Sequence, residues 1–559
     1  MGILHKRVKF HAKLTLTWVV PLVLTLIFSA CNMAVTTTVQ PTLADTPMVD
    51  QATPSATPYI LPAGYVEYLA QSGDTLAVVA AHFGVNPDQV VSQKQIPAEG
   101  LIDPGQKLYL PAFNGITTPA EILIPDSEVV FSRTAVGFDP AKFVDGYNGK
   151  LKTTTEMFIY GPTSGINIIT QLAVEFSINP RILLSLLELN GKWVTNKPET
   201  PEEATYAYGY VKTNKGGLYS QTSWAIAQLN AGYYGWRAGT LNELTFTDGS
   251  KLRLAPNLNA GTVAVMVYLA QIHNQPEWLE YLHRLPEIHT SLFGDFWARA
   301  RSVEPLFPAG LKQPELSLPF PNNETWNFTC GPHISWGKEG QLPWGALDFA
   351  PPLDRTGCGN SIHWATAMAP GLVIERSFLN AGLVIEDLDQ DNNEQTGWVL
   401  YYMHIAGTGR VEPGTVLQTG DRIGHPSCEG GSSSGIHEHV FRKYNGEWVL
   451  ADGGLPFVLS GYQAANGQKF CEGTLTRDSV VVNAYPWGNY LTKICQPDSQ
   501  KCKMGTPTPR PTQTPKLTPT PRPTQTPKLT LTPSPTPTPK LTLTPRPTPT
   551  PKSTPTEKK

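Results

Sequence analysis

Charge is scarce in this chain: 16% of its 559 residues are charged, 43 of them basic and 46 acidic. There is no folded basic patch and no nucleic-acid-binding motif, so nucleic acid is not an expected partner. The net charge of −3 adds nothing further about partners. No two cysteines have CxxC spacing, which argues against a cysteine-held zinc staple. Apolar runs of membrane-spanning length are also wanting: the stretch from Leu14 to Phe28 is short for a spanning helix. What the chain has in quantity is glycine, 48 residues, and proline, 52, which signals much loop and linker. The length suits three or four domains.

The N-terminus opens with Lys6, Arg7, Lys9 and Lys13, then the apolar stretch, then Ser29-Ala30-Cys31. This is the pattern of an export signal rather than of a fold element. Small residues before a cysteine resemble a lipoprotein box, which implies that Cys31 is lipidated and that residues 1–31 are a signal/lipoprotein segment. Ordinary cleavage nearby and an uncleaved anchor are the alternatives. The expected location is extracytoplasmic, as a membrane-anchored lipoprotein at the cell envelope. Setting Cys31 aside leaves six cysteines, Cys330, Cys358, Cys428, Cys471, Cys495 and Cys502. An even number in an exported chain points to disulfides. The expected pair is Cys330 with Cys358, which would brace the loop carrying His333; Cys428 is the alternative partner for either.

A Thr/Pro-rich spacer occupies 32–63. A compact β-α-α-β pattern follows over 64–112. Tyr65 to Ala70 reads as a strand, Asp74 is placed to cap a helix that Gly84 ends, and Asn86-Pro87-Asp88 opens a second short helix. Pro104-Gly105-Gln106 turns into a strand from Lys107 to Leu110. Gly73-Asp74-Thr75-Leu76 and Pro-Gly-Gln in this order look like a LysM module. That resemblance implies binding of N-acetylglucosamine-containing glycans such as peptidoglycan, with Gly73, Asp74 and Thr75 as glycan-binding residues.

Residues 127–305 read as mostly helical. Asn179-Pro180 starts a helix with Pro in its first turn, Ile182 to Leu189 give it an apolar face, and Gly191 ends it. Ser220 or Thr222 caps the next, and Thr262 to Ile272 reads as a buried helix. Glu188, late in an apolar helix, with Leu229-Asn230-Ala231-Gly232-Tyr233-Tyr234 downstream, resembles the order in lysozyme-like lytic transglycosylases. The resemblance implies a second general acid, since an apolar pocket raises a carboxyl pKa. The plainer reading is a helical spacer or lysozyme-like scaffold in which Glu188 is exposed or paired.

A Pro-rich linker over 306–325 leads into the segment 326–465. Here His333, Asp348, His404 and His437-Glu438-His439 are separated by glycine-rich turns and strand-like runs. Histidines at i and i+2 of a strand share a face. Tyr402 and His404 likewise fall on one face of the run from Trp398. Two histidines and a carboxylate hold zinc and leave a position open, which is the arrangement of a hydrolytic rather than a structural site. A neutral imidazole beside the attacking water suits a general base at neutral pH. His363 and His425 read as ordinary surface or core histidines. A mainly antiparallel sheet with the metal at its centre is expected.

Gly331-Pro332-His333, Leu347-Asp348-Phe349, Tyr401-Tyr402-Met403-His404 and the run Cys428 to His439 resemble the lysostaphin-type zinc peptidases, on their β-lytic, staphylolytic branch. The resemblance implies a peptidoglycan endopeptidase with zinc on His333, Asp348 and His439. It implies that His404 and His437 flank the water as general base and as stabiliser of the tetrahedral intermediate. In most of the family the first ligand lies four residues before the aspartate, where this chain has Trp344. The β-lytic branch places it further upstream, as His333 is. Glu438 stands where an apolar residue is usual and should face away from the metal. Those relatives pair a cysteine at the position of Cys428 with one on a preceding strand, and this chain has none there. They favour bonds at glycine.

The remaining parts are a cysteine-containing appendage, 466–503, and a tail, 504–559, in which Pro509 to Thr518 repeats as Pro521 to Thr530. The tail cannot build a core; as an extended polyproline-like chain it spans on the order of 150 Å. Threading into the wall, O-glycosylation and plain disorder are its readings. The whole reads as a multidomain cell-wall hydrolase: a zinc-dependent endopeptidase whose partners are the peptide stem and glycan strand of peptidoglycan and, through a lipid anchor, the membrane. The alternatives are a non-catalytic peptidoglycan-binding scaffold with a degenerate peptidase domain, or a dual enzyme with a transglycosylase-like activity at Glu188.

Overall fold

The computed structural model describes residues 61–158, 161–338, 340–353, 357–375 and 382–497. Cys31 and its lipidation, the spacer up to residue 60, Cys502 and the tail lie outside the described residues.

The segment 64–112 folds around a strand, Tyr65–Leu69, paired antiparallel with Lys107–Pro111, and a helix, Leu76–Phe83, with Tyr68, Val79, Phe83, Ile102 and Leu108 as its core. Gly84 ends the helix in the left-handed region, as its lack of Cβ permits. Two expectations are corrected. The helix is capped by Thr75, whose hydroxyl accepts from the Val78 N–H; Asp74 instead accepts from the Tyr68 hydroxyl and the Gln71 N–H. The second helix is a single 3₁₀ turn, Pro87–Gln89. It stops because Val90 and Val91, β-branched and favouring extended backbone, leave the turn, and Val91 bridges to Tyr109.

From Asp126 to Arg301 the chain is mainly helical, with two small hairpins. The helix Pro180–Gly191 is capped by Asn179, and every residue of Ala260–Ala270 is buried. The helix Leu218–Arg237 starts before either expected cap. The carboxylate of Glu156 accepts from the N–H groups of Leu218 and Tyr219, so a residue distant in sequence satisfies the first turn.

The C-terminal part is built on a nine-stranded antiparallel sheet. Its order is Val416–Leu417, Gly371–Ile374, Leu383–Asp387, Trp398–Met403, Glu438–Tyr444, Trp344–Ala350, Thr325–Ile334 and Lys493–Cys495, with Glu447–Trp448 paired back on Glu438–Tyr444. One face carries Leu347, Leu400, Tyr402 and Val440 into a core of its own. The other carries Ala346, Val399, Tyr401 and Phe441 into a core shared with the helical region.

Neither the linker nor the appendage is separate from this body. Leu316, Leu318 and Phe320 are buried, and the N–H of Ser317 donates to Met368, because apolar residues between the prolines give this stretch a core to join. Gly473–Arg477 and Val480–Asn483 extend a four-stranded sheet begun at Val458–Leu459, and Lys493–Cys495 forms an edge of the main sheet. A buried guanidinium ties three segments together. Arg237 pairs with Asp126 at 2.8 Å and Glu447 at 2.8 Å and donates to the carbonyl of Ser72, while Tyr233 donates to Glu447 at 2.7 Å. Buried charge is tolerated where, as here, partners surround it.

Candidate active site

Three adjacent strands bring the sequence-predicted ligands together. His439 stands opposite Asp348 in the register of Glu438–Tyr444 with Trp344–Ala350. His333 comes from the end of Thr325–Ile334, where the register shifts between Cys330 and His333 and again after it. Each shift inserts a residue and changes the face presented, so bulges re-aim His333 toward Asp348. Gly331 in this stretch is required by space: a Cβ would lie 2.4 Å from the carbonyl oxygen of Glu472. Trp344, at the position used by most of the resembling family, donates its indole N–H to the carbonyl of Gln341.

The ring nitrogens are sorted by backbone carbonyls. A carbonyl only accepts, so a nitrogen facing one carries the proton. His333 Nδ1 faces the carbonyl of Gly331 at 2.8 Å, and His439 Nε2 faces that of Ser335 at 3.1 Å. In the neutral rings this leaves lone pairs on His333 Nε2 and His439 Nδ1, which are 2.9 Å apart. Asp348 Oδ1 is 3.2 Å from the first and 2.9 Å from the second. Three acceptors thus converge on one space. Their spacing approaches the edge of about 3.3 Å that a tetrahedron with metal–ligand bonds of about 2.0 Å has. The residues fit a zinc ion, and the carbonyls of Gly331 and Ser335 fix the ligand tautomers as such sites require.

Two further imidazoles border this space. His437 Nδ1 faces the carbonyl of Gly435 at 2.9 Å, and its Nε2 lies 3.6 Å from Asp348 Oδ2. His404 Nδ1 faces the carbonyl of Glu429 at 3.0 Å, and its ring centroid is 4.5 Å from that of His437. His404 corrects the expectation from alternation. Tyr402 points into the opposite core, and strand alternation would send His404 after it. His404 instead has φ of +64°, a left-handed conformation uncommon outside glycine, which turns its ring to the side of His437. Backbone strain of this kind is characteristic of functional positions. Glu438, between the paired histidines, is fully buried with neither carboxyl oxygen hydrogen-bonded, and burial raises its pKa well above the usual range. It lies on the far side of the strand, opposite Phe349 in the register.

The electrostatics suit cation binding. Burial opposes ionisation of Asp348, but the neighbouring His333 and His437 outweigh it and hold the carboxyl well below its ordinary value. Burial opposes protonation of His333, but Asp348 outweighs it and raises the pKa. Burial, with His437 and His439 beside it, pushes His404 down to about 3. His439 is lowered, chiefly by burial.

The disulfides differ from the expected pairing. Cys330 bonds Cys471 and Cys358 bonds Cys428, while Cys495 is also disulfide-bonded. Cys330 still braces the loop of His333, but from the other side: Phe470 stands edge-on to the His333 ring, and the Gly331 N–H donates to Cys471. Cys358 instead anchors the turn whose Glu429 carbonyl holds His404, the alternative foreseen for Cys428. The carbonyls of Gly331, Ser335 and Glu429 were invisible to sequence reasoning, because backbone acceptors carry no residue signature.

The other sequence-predicted residues lie outside this cluster. Glu188 accepts from the N–H groups of Val194 and Thr195, both at 3.0 Å, and from the Thr195 hydroxyl, clasping the turn after its helix. This is the paired position, not an apolar acid pocket. Asp74 is buried, Gly73 lies against Arg237, and the methyl of Thr75 is near Gly454. His363 pairs with Glu324, and His425 bonds the carbonyl of His363.

Among curated proteins, the β-lytic metalloendopeptidase of Achromobacter lyticus is 26% identical over 179 residues, covering 28% of this chain and 44% of that protein. This chain therefore spans less than half the length of that relative. The β-lytic metalloendopeptidase of Lysobacter enzymogenes is also 26% identical over 179 residues, with 28% of this chain and 93% of the relative covered. Residues 122–306 match the family model described as the LasA N-terminal domain, a span that contains the whole of the segment 127–305 read as helical. Among solved structures, the M23 metalloprotease pseudoalterin, from the deep sea, is similar over 32% of this chain and 97% of its own, at 21% identity and a TM-score of 0.25.

Proposed function

We propose that this chain is an exported zinc endopeptidase that cleaves peptide stems or cross-bridges of peptidoglycan. The observation that carries the reading is the convergence of His333 Nε2, His439 Nδ1 and Asp348 Oδ1 as three acceptors with the opposite ring nitrogens already committed to carbonyls. A zinc ion held there would polarise a peptide carbonyl and acidify water to a pKa of about 7. His437 and His404 border the same space, each with Nδ1 donating to a carbonyl and Nε2 free to accept a proton. The ring that takes the proton from the attacking water then carries an N–H that it can donate to the oxyanion or to the leaving amine. His437, the more exposed of the two, is the general base in this reading; His404, held neutral with only its Nε2 lone pair facing the site, orients the attacking water by accepting its second hydrogen. Similarity to β-lytic metalloendopeptidases supports the reaction class.

The test is digestion of purified peptidoglycan by the chain, with and without chelator and beside Asp348→Ala, with products read by mass spectrometry. New peptide ends that vanish with chelator and with the variant support the reading and name the bond. Intact peptides with protein merely bound to the wall would favour the scaffold reading.

Targeting by the LysM-like module is the second part of the proposal. Gly73, Asp74 and Thr75 pack toward Arg237 and Gly454, so glycan binding through them competes with docking of the module. Arg237→Ala should then raise pull-down on insoluble peptidoglycan; unchanged pull-down would place wall binding elsewhere.

A further inference from the structure

The turn that joins Leu383–Asp387 to Trp398–Met403 runs Asp387-Leu388-Asp389-Gln390-Asp391-Asn392-Asn393-Glu394. Carboxylates at alternate positions, followed by a left-handed residue, are how a short loop wraps oxygens around a hard cation. Here Gln390 and Asn392 have φ of +60° and +62°, and one carboxylate oxygen from each of Asp387, Asp389 and Asp391 lies within 4.8 Å of the others. None of the three is paired with a lysine or arginine among the described residues. The independent observation is Asp387. Its side chain is buried, Oδ2 accepts from the Asn392 N–H at 2.8 Å, and Oδ1 meets no donor, the Asp389 carboxyl being the side chain that its own carboxyl faces. A buried carboxylate oxygen left without a donor is costly unless a ligand meets it.

We propose that this turn is a calcium site, with Asp387, Asp389 and Asp391 as its carboxylate ligands. The donor set is all oxygen, which selects a hard divalent cation and not zinc. A flexible loop with several carboxylates suits calcium better than magnesium, which demands near-ideal octahedral geometry. The loop lacks the bidentate glutamate of a complete twelve-residue calcium loop; Trp398 stands at that position, and Glu394 is taken by the Tyr401 hydroxyl at 2.7 Å and Lys443 at 3.3 Å. With this reduced set, affinity falls in the weak, extracellular range of roughly 10⁻⁴–10⁻³ M. The ion clamps the far end of a hairpin whose other end, Leu383 opposite Met403, leads into His404.

The test uses the zinc-loaded full chain. Millimolar calcium should raise Tm by about 2–4 °C over a calcium-chelated control, and equal magnesium should do much less. Terbium(III) should luminesce on excitation of Trp398 and be displaced by calcium. The double variant Asp389→Asn/Asp391→Asn, both residues exposed, should keep its zinc and lose both signals. Absence of both responses in the unaltered chain, or their survival in the variant, would overturn the proposal.

Discussion

Asp348 and Glu188 pose the same question and receive opposite answers. Each is a carboxylate set among apolar residues of a regular element, and each matched a catalytic pattern. The carboxylate of Glu188 is satisfied by two N–H groups and a hydroxyl, all donors from its own following turn. The carboxylate of Asp348 faces imidazoles whose protons are held on their far sides by backbone carbonyls. A carboxylate surrounded by donors is finished structurally. One surrounded by lone pairs is left to bind a cation. The difference lies in the neighbours' hydrogen-bond bookkeeping, not in the carboxylate or its burial.

The largest expected effect is on Asp348. Asp348→Ala should abolish peptidoglycan cleavage in the digestion assay. Next come the flanking rings: His437→Ala and His404→Ala should each lower kcat by about 10²–10⁴-fold while zinc content is unchanged. Loss of zinc in either variant would make that ring a ligand and redraw the site. Of intermediate size is Cys358→Ser/Cys428→Ser, which releases the turn whose Glu429 carbonyl holds His404. Denaturant unfolding should show a loss of about 2–4 kcal/mol, and kcat should fall more than KM changes.

The comparison extends to a buried imidazole with no carboxylate beside it. His82 stacks on Trp236 and bonds its carbonyl, and burial pushes its pKa down to about 4. The folded pKa lies below the unfolded one, so the unfolded chain binds more protons between the two. The stabilisation is present above about pH 6.5 and is lost as pH falls toward 4. Thermal melts between pH 7 and 5 should show a falling Tm, less steep in His82→Gln. The smallest effect is Glu188→Gln: cleavage of wall peptides within about twofold of the unaltered chain, and no anhydromuramyl products from either. Release of such products, abolished by the substitution, would restore Glu188 as an acid catalyst.

The same contrast explains what was legible in the sequence. The i, i+2 spacing of His437 and His439 and the order of His333, Asp348 and His404 could be read directly, because strand geometry maps spacing onto faces. Helix ends marked by local signals, Asn179 and Gly84, were equally readable. Features set by distant neighbours were not. Glu156 caps a helix more than sixty residues away, and Leu318 buries a stretch that its prolines mark as linker. The left-handed turn at His404 breaks the alternation that predicted its face. Cysteine pairing belongs to the same class, since only the fold brings Cys330 to Cys471.

The central claim is that unsatisfied acceptors around Asp348, and not a catalytic pattern alone, make a metal site. Zinc per chain, measured by elemental analysis on the purified protein, Asp348→Ala and Glu188→Gln, tests it directly. One zinc in the unaltered chain and in Glu188→Gln, with none in Asp348→Ala, is the predicted result. A chain that takes up no zinc, or an Asp348→Ala variant that keeps it, would contradict the account.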